Sequence, residues 1–250
     1  MKGSLMSLVN FRDPALGTDP QGSRIRPGVL YRSAQPFPRA DHATVAQLRD
    51  HDIRTVVDLR GAAESDPADW AAAEAAGINV IAARMDPTTD AVMAAMRTMT
   101  TAADLGAFYL LMAEQAPDAV TTAVEAAARP GGVLLHCAAG KDRTGLITAL
   151  LLELLGVPTE AIVADYARTS EALPQIFAHL AERHPTHSAA LNTRGAAPAP
   201  LLEAPAEAMT AFLDLVRARH GAAAFLAACG TSTSTLDAFR AKTAAEVAAC

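Results

Sequence analysis

Aromatic side chains make up only 4% of this 250-residue chain, with a single tryptophan, and that scarcity argues against a broad surface for stacking nucleic-acid bases. Positive charge is not in surplus either. With 21 Lys and Arg against 27 Asp and Glu the net charge is −6, so a polyanion held over a wide area is excluded while a local basic pocket is not. The three cysteines, Cys137, Cys229 and Cys250, cannot build a disulfide framework, and their odd number suits a reducing compartment in which a thiol stays reactive. No run reaches about 18 consecutive apolar residues. The opening MKGSLMSLVNFRDP has one lysine and no apolar stretch of export-signal length. The chain thus reads as cytoplasmic and not integral to a membrane, with signal-less export left open. His179, His184 and His187 have no cysteines or carboxylates beside them at ligand spacing, so no metal is expected. There is no internal repeat.

What is abundant is small and apolar. Hydrophobic residues reach 51%, ample for a core, and much of that is alanine, so helices are expected to pack closely through small side chains. The length suits one domain, residues 1–250, with an elaborated surface. Within it the stretch from Gly131 to Leu146, GGVLLHCAAGKDRTGL, organises the rest. Val133, Leu134 and Leu135 read as a buried strand that leads into Cys137, and beyond Gly145 a helical run extends from Leu146 to Leu155. Five residues separate Cys137 from Arg143. Their backbone N–H groups can converge on one point, where the helix adds its positive end, making an anion site sized for a phosphate dianion. A thiol placed there is expected to react as the thiolate. Arg143 offers a planar fork for two phosphoryl oxygens where a lysine would offer a point charge, and the Thr144 hydroxyl can stabilise Cys137 as nucleophile and leaving group. A buried cysteine beside a C-cap glycine would leave Arg143 and the loop glycines unexplained. A Walker-type nucleotide loop is excluded, because position 135 is Leu and Lys141 is followed by Asp142.

The run His136-Cys137-Ala138-Ala139-Gly140-Lys141-Asp142-Arg143-Thr144-Gly145 resembles the signature loop of the cysteine-dependent protein tyrosine phosphatases. Asn10-Phe-Arg-Asp13 and Leu30-Tyr-Arg-Ser33 resemble the opening of the atypical bacterial group, whose loop also carries the Lys-Asp pair, and so does the run from Ala149 to Asp165-Tyr166 and Thr169. The resemblance spans most of residues 8–170 and, weakly, Phe225 to Arg240. It implies a cysteine-dependent phosphatase fold with an added helical, lid-like insertion, and hydrolysis of phosphomonoesters through a phosphocysteine with no cofactor. The implied catalytic residues are Cys137, Arg143, Asp142 and Thr144, with substrate held by Ala138, Ala139, Gly140, Lys141 and Gly145. The implied substrates are phosphotyrosine proteins, with dual or phosphoinositide specificity suggested by Lys141, a second cation for a second phosphate. A rhodanese-type sulfurtransferase also uses a loop cysteine, but its loop is shorter and lacks the Arg143-Thr144 ending. A silent phosphoprotein-binding module on the same fold finds no support, because nucleophile, arginine and glycines are all present.

The remaining pattern is that of an α/β protein, with a central, mostly parallel sheet of four to five strands flanked by helices. Strands are expected at 28–34, 53–59 and 78–85 besides the one before Cys137, and helices at 40–51, 67–76, 89–99, 103–115, 118–128, 159–168, up to 183, 206–220 and twice beyond 221. Asp58 and Arg60 end the second strand at the edge where open α/β sheets gather ligands. Pairing between them is favoured over a direct chemical role. Asp86, before Pro87, is a second candidate for the general acid, or else an N-cap for the following helix, while Asp142 is preferred because it adjoins Arg143. Arg12 is either a site residue or a solvated surface charge. Residues 170–210, rich in Ala, Pro and small polar residues, form either a lid or a surface excursion.

Overall fold

A computed structural model describes residues 8–18, 25–86, 89–183 and 198–244. Of the suggested lid, residues 184–197 lie outside the described residues, as do His184, His187 and Cys250. The chain begins with a short helix α1 (Pro14–Thr18), then β1 (Leu30–Ser33), α2 (His42–Asp50), β2 (Ile53–Asp58), a single 3₁₀ turn (Pro67–Asp69), α3 (Ala71–Ala75) and β3 (Asn79–Ala82). Next come α4 (Asp90–Thr98), α5 (Ala102–Gln115), α6 (Pro117–Ala128), β4 (Gly132–His136) and α7 (Asp142–Leu154). The described residues finish with α8 (Thr159–Ala167), a 3₁₀ turn (Arg168–Glu171), α9 (Leu173–Arg183), α10 (Ala199–Leu202), α11 (Ala206–Ala218), α12 (Gly221–Ala228) and α13 (Thr233–Thr243).

The four strands form one parallel sheet in the order β1-β4-β2-β3. The strand leading to Cys137 is therefore central, and all five of its residues are buried. In register across the sheet, His136 faces Ser33 of β1 and Asp58 of β2, so the residues that follow these three emerge together at the carboxyl edge. Alternate side chains serve opposite faces, as the period of a strand requires. Val57, Val133 and Leu135 join the larger apolar cluster with α5 to α8 and α11 to α13, whereas Tyr31, Val56 and Leu134 join a smaller one with Leu48, Trp70 and Ile78. Each such residue contributes on the order of 1.5–3 kcal/mol by leaving water.

The abundance of alanine has the expected result. α5 packs most extensively on α11, and a Cβ on Gly106 would stand 2.5 Å from the Ala208 carbonyl, so the helices meet nearly backbone to backbone. Caps account for several helix starts. Asp41 and Thr44 form a capping box at α2, Thr101 and Asp104 form one at α5, and Ser232 caps α13.

Three expectations need correction. The helix after the signature loop starts at Asp142, not near Leu146, so Arg143, Thr144 and Gly145 belong to its first turn. An acidic side chain at that end favours this start, and the Gly145 N–H already bonds the Lys141 carbonyl at 2.7 Å. The helix placed at 67–76 is broken at Trp70, whose indole turns inward to His136. The cap of α4 is Thr89, which accepts from the Val92 N–H, so Asp86 has no capping role.

Candidate active site

The loop from Cys137 to Arg143 leaves the centre of the sheet with its first four carbonyls turned outward, each meeting a donor. His136 Nδ1 lies 3.2 Å from the Cys137 carbonyl, and the Gln35 N–H donates to Ala138 at 3.2 Å. Asn10 Nδ2 donates to Ala139 and Gly140 at 3.4 and 3.2 Å, and Arg32 Nη2 to Gly140 at 2.8 Å. In a trans peptide the C=O and N–H point in opposite directions. Four outward carbonyls therefore turn the N–H groups of residues 138–141 inward, on the side where α7 presents its positive end. Gly140 is required here. Its φ is +67°, and a Cβ would meet the Ser33 carbonyl at 2.2 Å.

Cys137, 2% exposed, opens the loop. Arg143 closes it, with Nη1 and Nη2 on the two carboxylate oxygens of Glu64 at 2.5 and 2.8 Å. Burial opposes the charge of Arg143, but its bonds to Glu64 more than offset it and hold the guanidinium above its ordinary pKa. Glu64 is held below its own ordinary value, burial again being outweighed by Arg143. The fork is thus fixed along one edge in a plane set by a carboxylate. The Thr144 hydroxyl is buried and has no partner among the described residues. A Cβ on Gly145 would stand 3.0 Å from the Tyr166 ring, so the two pack closely there.

A buried thiol, a clamped guanidinium and a ring of inward amides form a cradle for a tetrahedral oxyanion. A sequence model of the tyrosine phosphatase family matches residues 4–245. The chain belongs to that family. The triple specificity protein phosphatase PtpB of Mycobacterium tuberculosis is 32% identical over 203 residues, 69% of this chain and 71% of that protein. A Cupriavidus necator protein that carries a tyrosine-phosphatase designation is 32% identical over 230 residues, 86% of this chain and 78% of its own. The crystal structure of P. aeruginosa TpbA aligns over 56% of this chain and 68% of that one, with a TM-score of 0.34 and 26% identity.

In this phosphatase Asp142 stands at the mouth of α7. Its Oδ1 accepts from the Tyr109 hydroxyl at 2.7 Å and lies 3.2 Å from the Lys141 ammonium. Tyr109 is also 2.6 Å from the Tyr166 hydroxyl. Burial, then the charge of Asp142, holds the Tyr109 phenol far above its ordinary pKa, so it stays a donor. Lys141, expected to offer substrate a second cation, is only 1% exposed. Its Nζ donates to the Leu201 and Glu203 carbonyls at 2.7 and 2.6 Å, which ties the loop to the end of α10. Asp86 is exposed and lies directly over Gly61, beside Glu64.

Asp58 and Arg60 pair, as favoured, with Nη2 to Oδ2 at 2.6 Å. They belong to a buried network under the site rather than to its wall. Arg60 also reaches Gln35 Oε1 and Asp69 Oδ2, both at 2.9 Å, and Asp69 takes Arg183 at 2.5 Å. Beside them Trp70 Nε1 donates to His136 Nε2 at 2.9 Å, which leaves the proton on Nδ1, facing the Cys137 carbonyl. Burial keeps His136 neutral, its pKa held down despite Asp58. Arg12 lies behind the loop with its donors on Asp165, Thr169 and Asn10. Sequence reasoning missed Glu64, Tyr109 and Gln35; none lies within a quoted motif, and Gln35 only follows Leu30–Ser33. Among the described residues no cluster could hold a metal ion, and no helix is long and apolar enough to cross a membrane.

Proposed function

We propose that this tyrosine phosphatase hydrolyses phosphotyrosine in proteins through a phosphocysteine on Cys137, and that its specificity extends to other phosphomonoesters. The observation that carries the reading is the loop itself, four outward carbonyls with Cys137 at one end and the Glu64-clamped Arg143 at the other. In the first step the Cys137 thiolate forms the S–P bond while the ester P–O bond breaks, and the leaving oxygen takes a proton from Asp142. In the second, water gives that proton back to Asp142 and attacks phosphorus; the S–P bond breaks, releasing orthophosphate and the thiolate. Inward amides of residues 138–141 and the free edge of Arg143 stabilise the equatorial oxygens in both steps, the largest single contribution in reactions of this kind. Thr144, its hydroxyl uncommitted, stabilises the sulfur as it leaves.

Similarity to a triple specificity phosphatase supports the wider substrate range. A phosphoinositide would use Lys141 for its second phosphate only if the Leu201 and Glu203 carbonyls gave way, so phosphotyrosine is the primary substrate in this arrangement. Phosphate release from phosphotyrosine peptides, phosphoserine peptides and soluble phosphoinositides, measured side by side, tests the assignment. Release from none of them removes it, and transfer of sulfur from thiosulfate to cyanide would replace it with the sulfurtransferase reading.

A further inference from the structure

Behind the phosphate loop, on the side away from the anion, lies a buried ionic cluster that the reaction itself does not use. Asp165 of α8 gives one carboxylate oxygen to Arg12 Nε at 2.7 Å and the other to Arg32 Nη1 at 2.6 Å. The two arginines are backbone partners, each N–H on the other's carbonyl at 2.9–3.0 Å. Arg12 passes on to Asn10, bonding both its carbonyl and its side-chain oxygen, and that contact turns the Asn10 amide nitrogen toward the loop. Two guanidinium groups thus share one carboxylate. Arg32 is 1% exposed and Asp165 2%, so water does little to screen them.

From this cluster two donors reach the loop, Asn10 Nδ2 to Ala139 and Gly140, and Arg32 Nη2 to Gly140. We propose that Asn10, Arg32 and Asp165 are positioning residues that hold the Ala139 and Gly140 peptides in the orientation that binds phosphate. The inference rests on the phosphatase reading of the loop and adds residues that touch neither substrate nor sulfur. Were either peptide to flip, a carbonyl would aim its negative end at the phosphoryl oxygens, and one amide donor would be lost from the cradle. Asp165 holds Arg32 so that the fork is not free to turn, and Arg32 in turn gives a charge-assisted bond to a carbonyl. The Arg32 guanidinium polarises the peptide whose carbonyl it bonds in the direction that strengthens that peptide's inward N–H. Asn10 adopts φ of +60°, a conformation uncommon for residues other than glycine and tolerated by asparagine. Its backbone is thus committed to bringing that amide under the loop.

The competing account is a buried salt bridge that only stabilises the fold, and the test must separate the two. Asn10→Gly removes the amide without straining a left-handed backbone, and it leaves the Asp165 ion pairs in place, so it should fold. Arg32→Lys keeps the charge but loses the fork that joins Asp165 to Gly140. Binding of inorganic vanadate measured by calorimetry, and the pH profile of Cys137 alkylation by iodoacetate, report the loop without requiring turnover. Vanadate should bind the folded Asn10→Gly protein at least about tenfold more weakly, the scale expected when the two Asn10 bonds to the loop carbonyls are lost. The alkylation profile should move to higher pH, and Arg32→Lys should show larger changes in the same direction. A lowered melting temperature with vanadate affinity and alkylation profile unchanged in folded Asn10→Gly would overturn the proposal. Wild-type protein that binds vanadate but releases no phosphate from any ester would refute the hydrolytic reading and leave the positioning result standing.

Discussion

The hydroxyl of Tyr109, on α5, donates to Oδ1 of Asp142, on the first turn of α7, at 2.7 Å. Lys141 approaches the same oxygen. Two donors on Oδ1 leave Oδ2 as the atom able to carry a proton to and from the leaving group. Asp142→Asn should therefore slow a phenyl or alkyl phosphate far more than an activated nitrophenyl ester, by up to about 10²- to 10⁴-fold, and flatten the basic limb of the pH–rate profile. Asp86→Asn should reduce all substrates by similar small factors. A leaving-group dependence that appears with Asp86→Asn instead would move the acid to the loop that lies over Gly61.

Tyr109→Phe removes one of the two donors but keeps the ring. Loss of a hydrogen bond to a charged group costs on the order of 1.5–3 kcal/mol when the partner is left buried, and less where water can replace it. kcat on phenyl phosphate should fall roughly tenfold with KM little changed, and the nitrophenyl ester should be less affected. Equal losses on both esters would show that Tyr109 supports α5 packing and not the orientation of Asp142.

Glu64→Gln tests the clamp on Arg143. An amide can accept one guanidinium bond where the carboxylate accepts two, and the paired charge is lost, so kcat/KM should drop by about 10- to 100-fold while the protein remains folded. Arg143→Lys should be worse still because the fork itself is gone. Cys137→Ser should abolish turnover yet retain phosphate-ester binding. Near-wild-type kcat in Arg143→Lys would refute a bidentate role.

Alkylation at pH 6 distinguishes the thiols. Burial, then the charge of Glu114, pushes the Cys229 thiol up to about 11, so it is protonated and unreactive under those conditions. Iodoacetate should label Cys137 first, vanadate should protect it, and mass spectrometry of the digested protein should show Cys229 unmodified. Equal labelling of the two would contradict an anion cradle around Cys137.

Acid stability follows from the same ion pairs. Burial pushes Asp165 up, but Arg32 and Arg12 outweigh it and hold its pKa below the ordinary value, as Arg143 does for Glu64 and Arg183 and Arg60 do for Asp69. A carboxyl group depressed by folding stabilises the native state above its unfolded pKa of about 4 and loses that contribution as pH falls through the folded value. Melting temperature should be nearly flat from pH 7 to about 5 and fall below about 4. Asp165→Asn should melt lower at pH 7, with the gap to wild type narrowing as the wild-type carboxylate takes up its proton. A gap that stays constant down to pH 3 would show that charge on Asp165 contributes nothing.

Much of the site was legible because it is contiguous. Strand, loop and helix follow one another from Gly132 to Leu154, and each announces itself by local pattern: an apolar run, glycines, a cysteine six residues before an arginine. The start of α7 was misplaced because Gly145 has low helix propensity, yet there it serves the approach of Tyr166. Glu64, Tyr109 and Gln35 were not legible. Glu64 lies in a turn after Arg60 with no periodicity to mark it, Tyr109 sits in an ordinary buried helix, and Gln35 acts on the loop through its backbone N–H. Their relation to the loop exists only once the sheet has formed. Lys141 was recognised as part of the loop, but its direction was not, since the carbonyls of Leu201 and Glu203 that hold it come from 60 and 62 residues away.

The clamp behind the loop also sets an order of assembly. Asn10 meets Gly140 across 130 residues, and Arg12 meets Asp165 across 153. Contacts of that span close late, because the entropy of the intervening chain must be overcome before they are rewarded. α7 can form from neighbouring residues, but β4 needs β1 and β2 beside it, and the peptides between β4 and α7 take their working orientation only after the amino-terminal arm and α8 have both docked. The anion cradle is therefore a product of the finished fold, and Cys137 meets its inward amides only once segments on both sides of it in the sequence have closed behind the loop.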